Sequence, residues 1–285
     1  MTKGADLMAG AAAAQRVSYY FSAHQDDWQL FMNPSAFRDV LNGNTKCVFI
    51  HMTAGDAGLG TGSGGRKHPL YLARENGAES AIRFMADSDN RPPVEAVASR
   101  MAFHGHPIQR VSYRNTVAYF LRLPDGSPAG TGYADTGYQS LQRLAAGQID
   151  TLSVIDGTTA YRGWQDLVAT LRSVNDFERG RAPSVQLNVP EPDPIINPND
   201  HSDHYATAKA ALAAAEGLTG VRRLHYVGYA SADRAENLSA QDRDMKCAVY
   251  AVTLAGVLAL DHPAAWQHYD QNFVGRNYFR VEEAS

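Results

Sequence analysis

Segments typical of β-strands alternate with segments typical of α-helices along most of this chain, and this alternation limits the fold more than any other feature. The run KCVFIHMTAG is largely apolar, as in strands that are buried on both faces of a sheet. The preceding stretch PSAFRDVLNG has helical spacing and ends at Gly43, a common helix stop. Strands joined by helices through short connections form a mostly parallel sheet covered by helices. We therefore predict an α/β fold.

The segments that could carry chemistry all follow predicted strands. AHQDD comes after RVSYYFS, TAGDAG overlaps the end of the apolar run, and HSDH comes after SVQLNVP. In open parallel sheets, ligands bind outside the carboxyl ends of the strands. We therefore expect these segments to meet at one edge of the sheet.

The chain is long enough for one large α/β domain, since it has 285 residues, of which 44% are hydrophobic. It contains no internal repeat and no clean linker. We predict a single domain over residues 1–285, with a ragged or briefly helical start at 1–15. Residues 240–285 are predicted to form a C-terminal helix and tail.

Composition excludes several classes of partner. The net charge is −4 and the sequence has no basic tract, so we expect no nucleic-acid partner. No window approaches the ~20 apolar residues needed to cross a bilayer, and Asp6 interrupts the only stretch that imitates a signal peptide. Cys47 and Cys247 lie in apolar stretches without a nearby metal-ligand partner, so we expect two buried, reduced thiols in a cytoplasmic protein. The oligomeric state is left open.

Two clusters of histidine and aspartate have the spacing of metal ligands. His24 and Asp27 are three residues apart where the first strand ends, and together they make two-thirds of a three-ligand catalytic zinc shell. His201, Asp203 and His204 follow a later strand and open an alanine-rich helix. Either cluster alone could be a helix cap. Two such clusters, both after strands, favour a single divalent metal site.

The adjacent carboxylates of Asp26 and Asp27 repel each other unless a positive charge lies between or beside them. A metal ion would supply that charge. Side chains of adjacent residues diverge at a strand end, so only Asp27 is expected to bind the metal. Asp26 is then left as a general base that takes a proton from the attacking water.

These motifs resemble those of the PIG-L/LmbE-like family of zinc-dependent N-deacetylases. The family pattern runs A-H-P-D-D, T-x-G-E-x-G and H-x-D-H, and the chain has AHQDD, TAGDAG and HSDH in this order, over roughly residues 17 to 230. The resemblance implies a Rossmann-like fold with helices on both faces of the sheet. It also implies an enzyme that removes an acyl group, usually acetyl, from an amino sugar such as an N-acetylglucosamine conjugate.

The resemblance also assigns roles to individual residues. It implies three zinc ligands, which are His24, Asp27 and His204. It makes Asp26 the general base, whereas His201 assists the developing oxyanion and Asp203 steadies His201. These roles are those of an amide hydrolase that acts on C–N bonds other than peptide bonds.

Substrate contacts follow from a looser match. The resemblance implies that Arg74 contacts the substrate and that Asp125 lies near the sugar hydroxyls. Several residues depart from the family pattern, among them Gln25, Asp56 and Trp28. Gln25 replaces a proline that is not a ligand, and Asp56 replaces a glutamate. Trp28 replaces an acidic residue and is expected to form an aromatic wall near the mouth of the site, as a further substrate contact.

Two other functions fit part of the sequence. A metal-dependent phosphoesterase often needs two metals and additional ligands, whereas the two clusters supply enough for one. A non-catalytic Rossmann-like binding protein would hold no zinc. A dinucleotide-binding version would carry G-x-G-x-x-G after the first strand, and that motif is absent.

Overall fold

Strands and helices alternate over the residues that the computed structural model describes, which are 14–89, 91–92, 94–264 and 268–283. The strands are β1 (Arg16–Ser22), β2 (Thr45–Thr53), β3 (Val97–Phe103), β4 (His106–Tyr113), β5 (Thr116–Leu123), β6 (Thr151–Ser153), β7 (Ala160–Arg162), β8 (Ser184–Pro190), β9 (Val221–Tyr226) and β10 (Phe279–Glu282). The α-helices are α1 (Asp27–Phe31), α2 (Ser35–Leu41), α3 (Leu70–Ala86), α4 (Leu141–Ala145), α5 (Trp164–Arg179), α6 (Ser202–Ala214), α7 (Ala240–Ala259) and α8 (His268–Val274).

The main sheet has the strand order β10-β9-β8-β1-β2-β5-β4-β3. Its centre, from β9 to β5, is parallel, whereas β10 at one edge and β4 and β3 at the other are antiparallel. The prediction of a mostly parallel α/β sheet is therefore confirmed. The antiparallel strands β3, β4 and β5 are consecutive in the chain and need only short turns between them.

Side chains of β1 alternate between two hydrophobic cores, one on each face of the sheet. Tyr19 and Phe21 pack into a core with residues of α5 and α6. Tyr20, between them, packs into a second core with residues of α1, α3 and α7. Because successive side chains of a strand point to opposite faces, this packing confirms that helices cover both sides.

The strand order reverses beside β1, and this reversal positions the candidate site. From β1 the chain moves to β2 on one side, and it later returns to place β8 on the other side. In doubly wound sheets such a switch point leaves a crevice at the carboxyl ends of the strands. The segments after β1 and β8 carry the two predicted histidine–aspartate clusters, so both open onto this crevice.

The C-terminal part of the chain is more ordered than the predicted helix and tail over 240–285. After α7, the chain forms α8 and then β10, in which Phe279 pairs with Tyr226 of β9. All four residues of β10 are exposed, and their apolar–polar alternation is only four residues long, which makes it a weak strand signal. Most of the predicted irregular start at 1–15 lies outside the described residues.

Cys47 and Cys247 are free cysteines, as predicted for reduced thiols. Cys47 is buried, whereas Cys247 is only partly buried on α7. None of the helices in the described part of the chain has the length and apolar character that a membrane crossing requires.

Candidate metal centre

The end of β1 directs His24 and Asp27 toward the same point. The peptide N–H of His24 donates a hydrogen bond of 2.7 Å to Oδ2 of Asp27, the first residue of α1. This bond orients the carboxylate, whose other oxygen Oδ1 lies 3.5 Å from Nδ1 of His24. Both side chains are buried, so one imidazole and one carboxylate oxygen converge at the crevice.

His204 joins this pair from the first turn of α6. The helix begins after His201, whose Nδ1 accepts the peptide N–H of Asp203 as an N-terminal cap. His204 follows one turn later, and its Nε2 lies 3.2 Å from Oδ1 of Asp27. Asp27 and His204 are 177 residues apart in the sequence. The two predicted ligand clusters thus meet in space.

Asp200 orients His204, a role that was not predicted from the sequence. Its Oδ2 lies 2.9 Å from Nδ1 of His204 and accepts the side-chain N–H of Asn197 at 2.5 Å. Its Oδ1 accepts the peptide N–H of Tyr229 at 3.2 Å. With the ring proton on Nδ1, the lone pair of Nε2 is available to a metal ion, as in the carboxylate–histidine pairs of metal sites. The i, i+4 spacing of Asp200 and His204 was a usable signal.

Asp203 contacts both His201, its expected partner, and His24. Its Oδ2 accepts the peptide N–H of Gly126 at 2.8 Å and lies 3.5 Å from Nε2 of His24, against 3.7 Å from Nδ1 of His201. That Nδ1 already accepts the peptide N–H of Asp203, which leaves it no proton to donate to the carboxylate. Asp203 is therefore paired with His24 more closely than with His201.

The electrostatics of this cluster favour a positive charge. Burial alone would lower the pKa of His204, but Asp200 and Asp27 raise it well above its usual value. Burial also acts against a charged His24, yet Asp27 and Asp203 raise its pKa well above the usual value. Burial would raise the pKa of Asp27, and the two imidazoles hold it well below its ordinary range. A divalent cation could replace the ring protons here.

Two overlapping groups of described residues have ligand atoms within 4.8 Å of one another and could hold a metal ion. One group is His24, Asp27 and His204, and the other is His24, Asp125, His201 and Asp203. In the second group, backbone N–H groups already bond Oδ1 of Asp125, Oδ2 of Asp203 and Nδ1 of His201. The buried Nε2 of His24 and Oδ1 of Asp203 have no hydrogen-bond partner. Such orphaned polar atoms are costly in a fold. Both belong to residues of the second group, so polar atoms remain there for a ligand.

Asp26 is more exposed than its neighbour Asp27 and is bonded to Arg74. Its side chain is 30% exposed, whereas that of Asp27 is 6% exposed. Oδ1 of Asp26 accepts a hydrogen bond of 2.5 Å from Nη2 of Arg74 on α3. Asp26 and Arg74 line a cavity of about 270 Å³ that is otherwise formed largely by α7 and the segment after it: Gln25, Leu70, Tyr250, Thr253, Leu254, Val257, Pro263, Ala264 and Asp270. The two adjacent aspartates therefore diverge, as predicted.

Asp125 and His201 face each other across the same crevice, with 3.9 Å between Oδ1 and Nε2. Asp56 holds the segment of Asp125, because its Oδ1 accepts the peptide N–H of Asp125 at 2.9 Å. Burial first, and then the positive charge of His24, lowers the pKa of His201 to about 4. With Nδ1 accepting the cap bond, the neutral ring carries its proton on Nε2. His201 is thus a neutral donor.

Trp28 does not lie at the mouth of the site, which corrects the expected substrate contact. Its side chain is fully buried, packs against Phe49 and donates from Nε1 to Nε2 of His51 at 3.2 Å. Successive residues of a helix point about 100° apart. Because Asp27 faces the crevice, the next residue of α1 turns into the core.

Replacing Asp200 by asparagine tests its role in orienting His204. We expect about 10- to 100-fold weaker metal binding, because partners of metal-bound histidines typically contribute that much. Competition with a chromophoric chelator measures the affinity. Asp193→Asn, in the same loop, is the control and should bind as tightly as the parent. Equal affinities for the Asp200 variant and the parent would show that this carboxylate does not support the site.

No family model matches this chain, and no curated protein matches its sequence. Among solved structures, it is similar to N,N'-diacetylchitobiose deacetylase from Pyrococcus horikoshii in complex with its inhibitor MPG, with a TM-score of 0.50 and 15% sequence identity. The match covers 95% of this chain and 84% of that chain. At this identity the similarity shows a common α/β fold, consistent with the predicted Rossmann-like arrangement.

Proposed function

We propose that this chain is a zinc-dependent hydrolase of the PIG-L/LmbE-like type that removes an N-acyl group, acetyl in the first instance, from an amino sugar. The observation that carries the proposal is the convergence of Nδ1 of His24, Oδ1 of Asp27 and Nε2 of His204 beside the more exposed carboxylate of Asp26. Three protein ligands and an adjacent base are the composition of a catalytic metal site, not of a structural one.

Two separations among the three ligand atoms fit zinc. Tetrahedral coordination with bonds of about 2.0–2.1 Å separates neighbouring ligand atoms by about 3.3 Å. The distances from Oδ1 of Asp27 are 3.2 Å to Nε2 of His204 and 3.5 Å to Nδ1 of His24. Two imidazoles and one carboxylate are also ligands that zinc commonly takes. We therefore assign His24, Asp27 and His204 as its ligands.

Each of the remaining residues would have a separate role in amide hydrolysis. A zinc ion in this site would lower the pKa of a water molecule to about 7 and polarise the amide carbonyl. Asp26 would accept the proton of the attacking water and pass it to the leaving amine. Nε2–H of His201 would donate to the amide oxygen as its negative charge grows. Asp203 would orient His24, and Asp200 would orient His204.

The substrate would bind in the crevice between Asp125 and Arg74. Asp125 accepts hydrogen bonds and lies beside His201, so it suits a sugar hydroxyl. Arg74 lines the cavity next to Asp26, where its unused N–H groups could reach a second polar group. The protein with the similar fold is a deacetylase of N,N'-diacetylchitobiose, which supports a small N-acetylated amino sugar here. Trp28 is excluded from this site by its burial.

Metal analysis and a free-amine assay test the proposal together. The purified chain should bind one zinc ion and release amine and acetate from N-acetylglucosamine or N,N'-diacetylchitobiose, and a chelator should abolish this activity. Release of phosphate from a generic ester without amide cleavage would favour the phosphoesterase, and absence of bound zinc would favour a binding protein.

A cytoplasmic location remains a prediction that fractionation of cells would check.

A further inference from the structure

Gln25 occupies the place where the resembled motif has proline, and both ends of its side chain are bonded. The residue is buried, and its Nε2 donates a hydrogen bond of 2.9 Å to the carbonyl oxygen of Thr53, the last residue of β2. Its Oε1 accepts Nε–H of Arg74 at 3.1 Å. Proline has neither group in its side chain. Gln25 therefore connects the end of β2 to a side chain of α3 in a way that the family motif could not.

Arg74 extends this connection to Asp26. Its Nε–H is held by Gln25, and Nη2 on the same guanidinium donates to Oδ1 of Asp26 at 2.5 Å. The Asp26 side chain makes no capping hydrogen bond to α1, so the helix start does not fix its orientation. A planar guanidinium held at Nε has little freedom to rotate. The orientation of the Asp26 carboxylate is thus set through Arg74 and Gln25.

The loop after β2 packs closely on the same contact. Gly55 has a left-handed φ of +54°, and a Cβ at this position would lie 2.7 Å from both Nε of Arg74 and Oε1 of Gln25. A side chain there would collide with the hydrogen bond itself. Glycine is needed where backbone approaches this closely, so the loop, Gln25 and Arg74 form one packed unit.

We propose that Gln25 is a positioning residue that fixes Arg74, so that the guanidinium holds the carboxylate of Asp26 toward the reacting atoms. The inference rests on the proposed function, in which Asp26 is the base. Displacing a catalytic group by about 1 Å can cost about 10²-fold in rate. Gln25 would therefore act on the chemical step through Asp26, without touching the substrate.

The variant Gln25→Leu removes both hydrogen bonds at nearly constant side-chain volume. We expect unchanged zinc content and a kcat about 10- to 10²-fold lower than that of the parent. In an Asp26→Asn background the same substitution should not lower kcat further, because the carboxylate that Gln25 positions is already absent. A kcat within twofold of the parent, or an equal loss in both backgrounds, would overturn the proposal.

Gln29→Leu is the matched control. Gln29 is also buried and lies one turn later, where its Nε2 donates to the carbonyl oxygen of Gln25 at 2.8 Å and to Oγ1 of Thr253 at 3.3 Å. Its loss removes buried hydrogen bonds without reaching Arg74. We expect a lower melting temperature but a kcat within about twofold of the parent. A comparable fall in kcat for both variants would mean that Gln25 matters only for stability.

A measurement that does not depend on activity tests the same contact. The partly buried, hydrogen-bonded Nε–H of Arg74 should give a slowly exchanging nitrogen-15 NMR signal in the parent and in Gln29→Leu, and it should exchange fast in Gln25→Leu. If Gln25→Leu leaves the exchange unchanged, Gln25 does not hold Arg74 and the inference fails. If the parent cleaves no amide but the exchange behaves as expected, the proposed function fails while the contact stands.

Discussion

Replacing Asp26 by asparagine is expected to lower kcat by about 10²- to 10⁴-fold, which is the usual contribution of a general base. Asparagine keeps the size of the side chain but cannot accept the proton of the attacking water. Zinc content should not change, because Asp26 is bonded to Arg74 and belongs to neither group of residues that could hold the ion. Steady-state kinetics with an N-acetylated amino sugar and elemental analysis of the same sample measure both quantities.

Asp27→Asn is the natural comparison, because it makes the same chemical change one residue later. Asp27 is buried and contacts both His24 and His204, so its variant should lose zinc together with activity. Loss of zinc in the Asp26 variant, or full activity in that variant, would contradict the division of roles between the two neighbours. Comparing the Asp26→Asn and Asp27→Asn variants therefore distinguishes loss of proton transfer from loss of metal binding, and both substitutions preserve side-chain size.

Replacing His204 by alanine is expected to remove the metal and, with it, all measurable hydrolysis. His204 supplies one of three ligand atoms, and its Nε2 lies beside Oδ1 of Asp27. Loss of a residue that merely orients a ligand weakens metal binding about 10- to 100-fold, so loss of a ligand should cost more. Without His204, Asp27 and Asp200 also become buried carboxylates with one fewer positive partner. Zinc content after gel filtration is the decisive measurement.

His201→Ala distinguishes the two overlapping groups that could hold the ion. His201 belongs to the group with Asp125 and Asp203 but not to the group of His204. If the ion is held by His24, Asp27 and His204, the His201 variant keeps its zinc and loses only about 10²- to 10³-fold in rate, as for one oxyanion donor. The reverse pattern, with zinc lost from His201→Ala and kept in His204→Ala, would move the ion to the other group. His106→Ala, remote in the fold and paired with Asp166, controls for loss of a part-buried histidine.

Much of the fold followed from local patterns. Apolar runs such as that of β2 and the helical spacing before and after it predicted a parallel sheet with helices, because these patterns depend on neighbours in the chain. The antiparallel β10 escaped prediction, since its alternating pattern is only four residues long and the strand forms by pairing with β9. The sequence also predicted that the residues around the crevice lie together, because parallel strands end at a common edge of the sheet.

The sequence by itself determined that His24, Asp26, Asp27 and the HSDH segment lie where strands end, and hence that they would share one edge of a sheet. Only the tertiary structure decided which side chain faces which. It pairs Asp203 with His24, brings Asp200 to His204, turns Trp28 into the core and carries Arg74 across from α3 to Asp26. The reason is physical: a strand end fixes where a residue lies, but the direction of its side chain depends on how separate helices approach and pack, and that packing involves residues far apart in the chain.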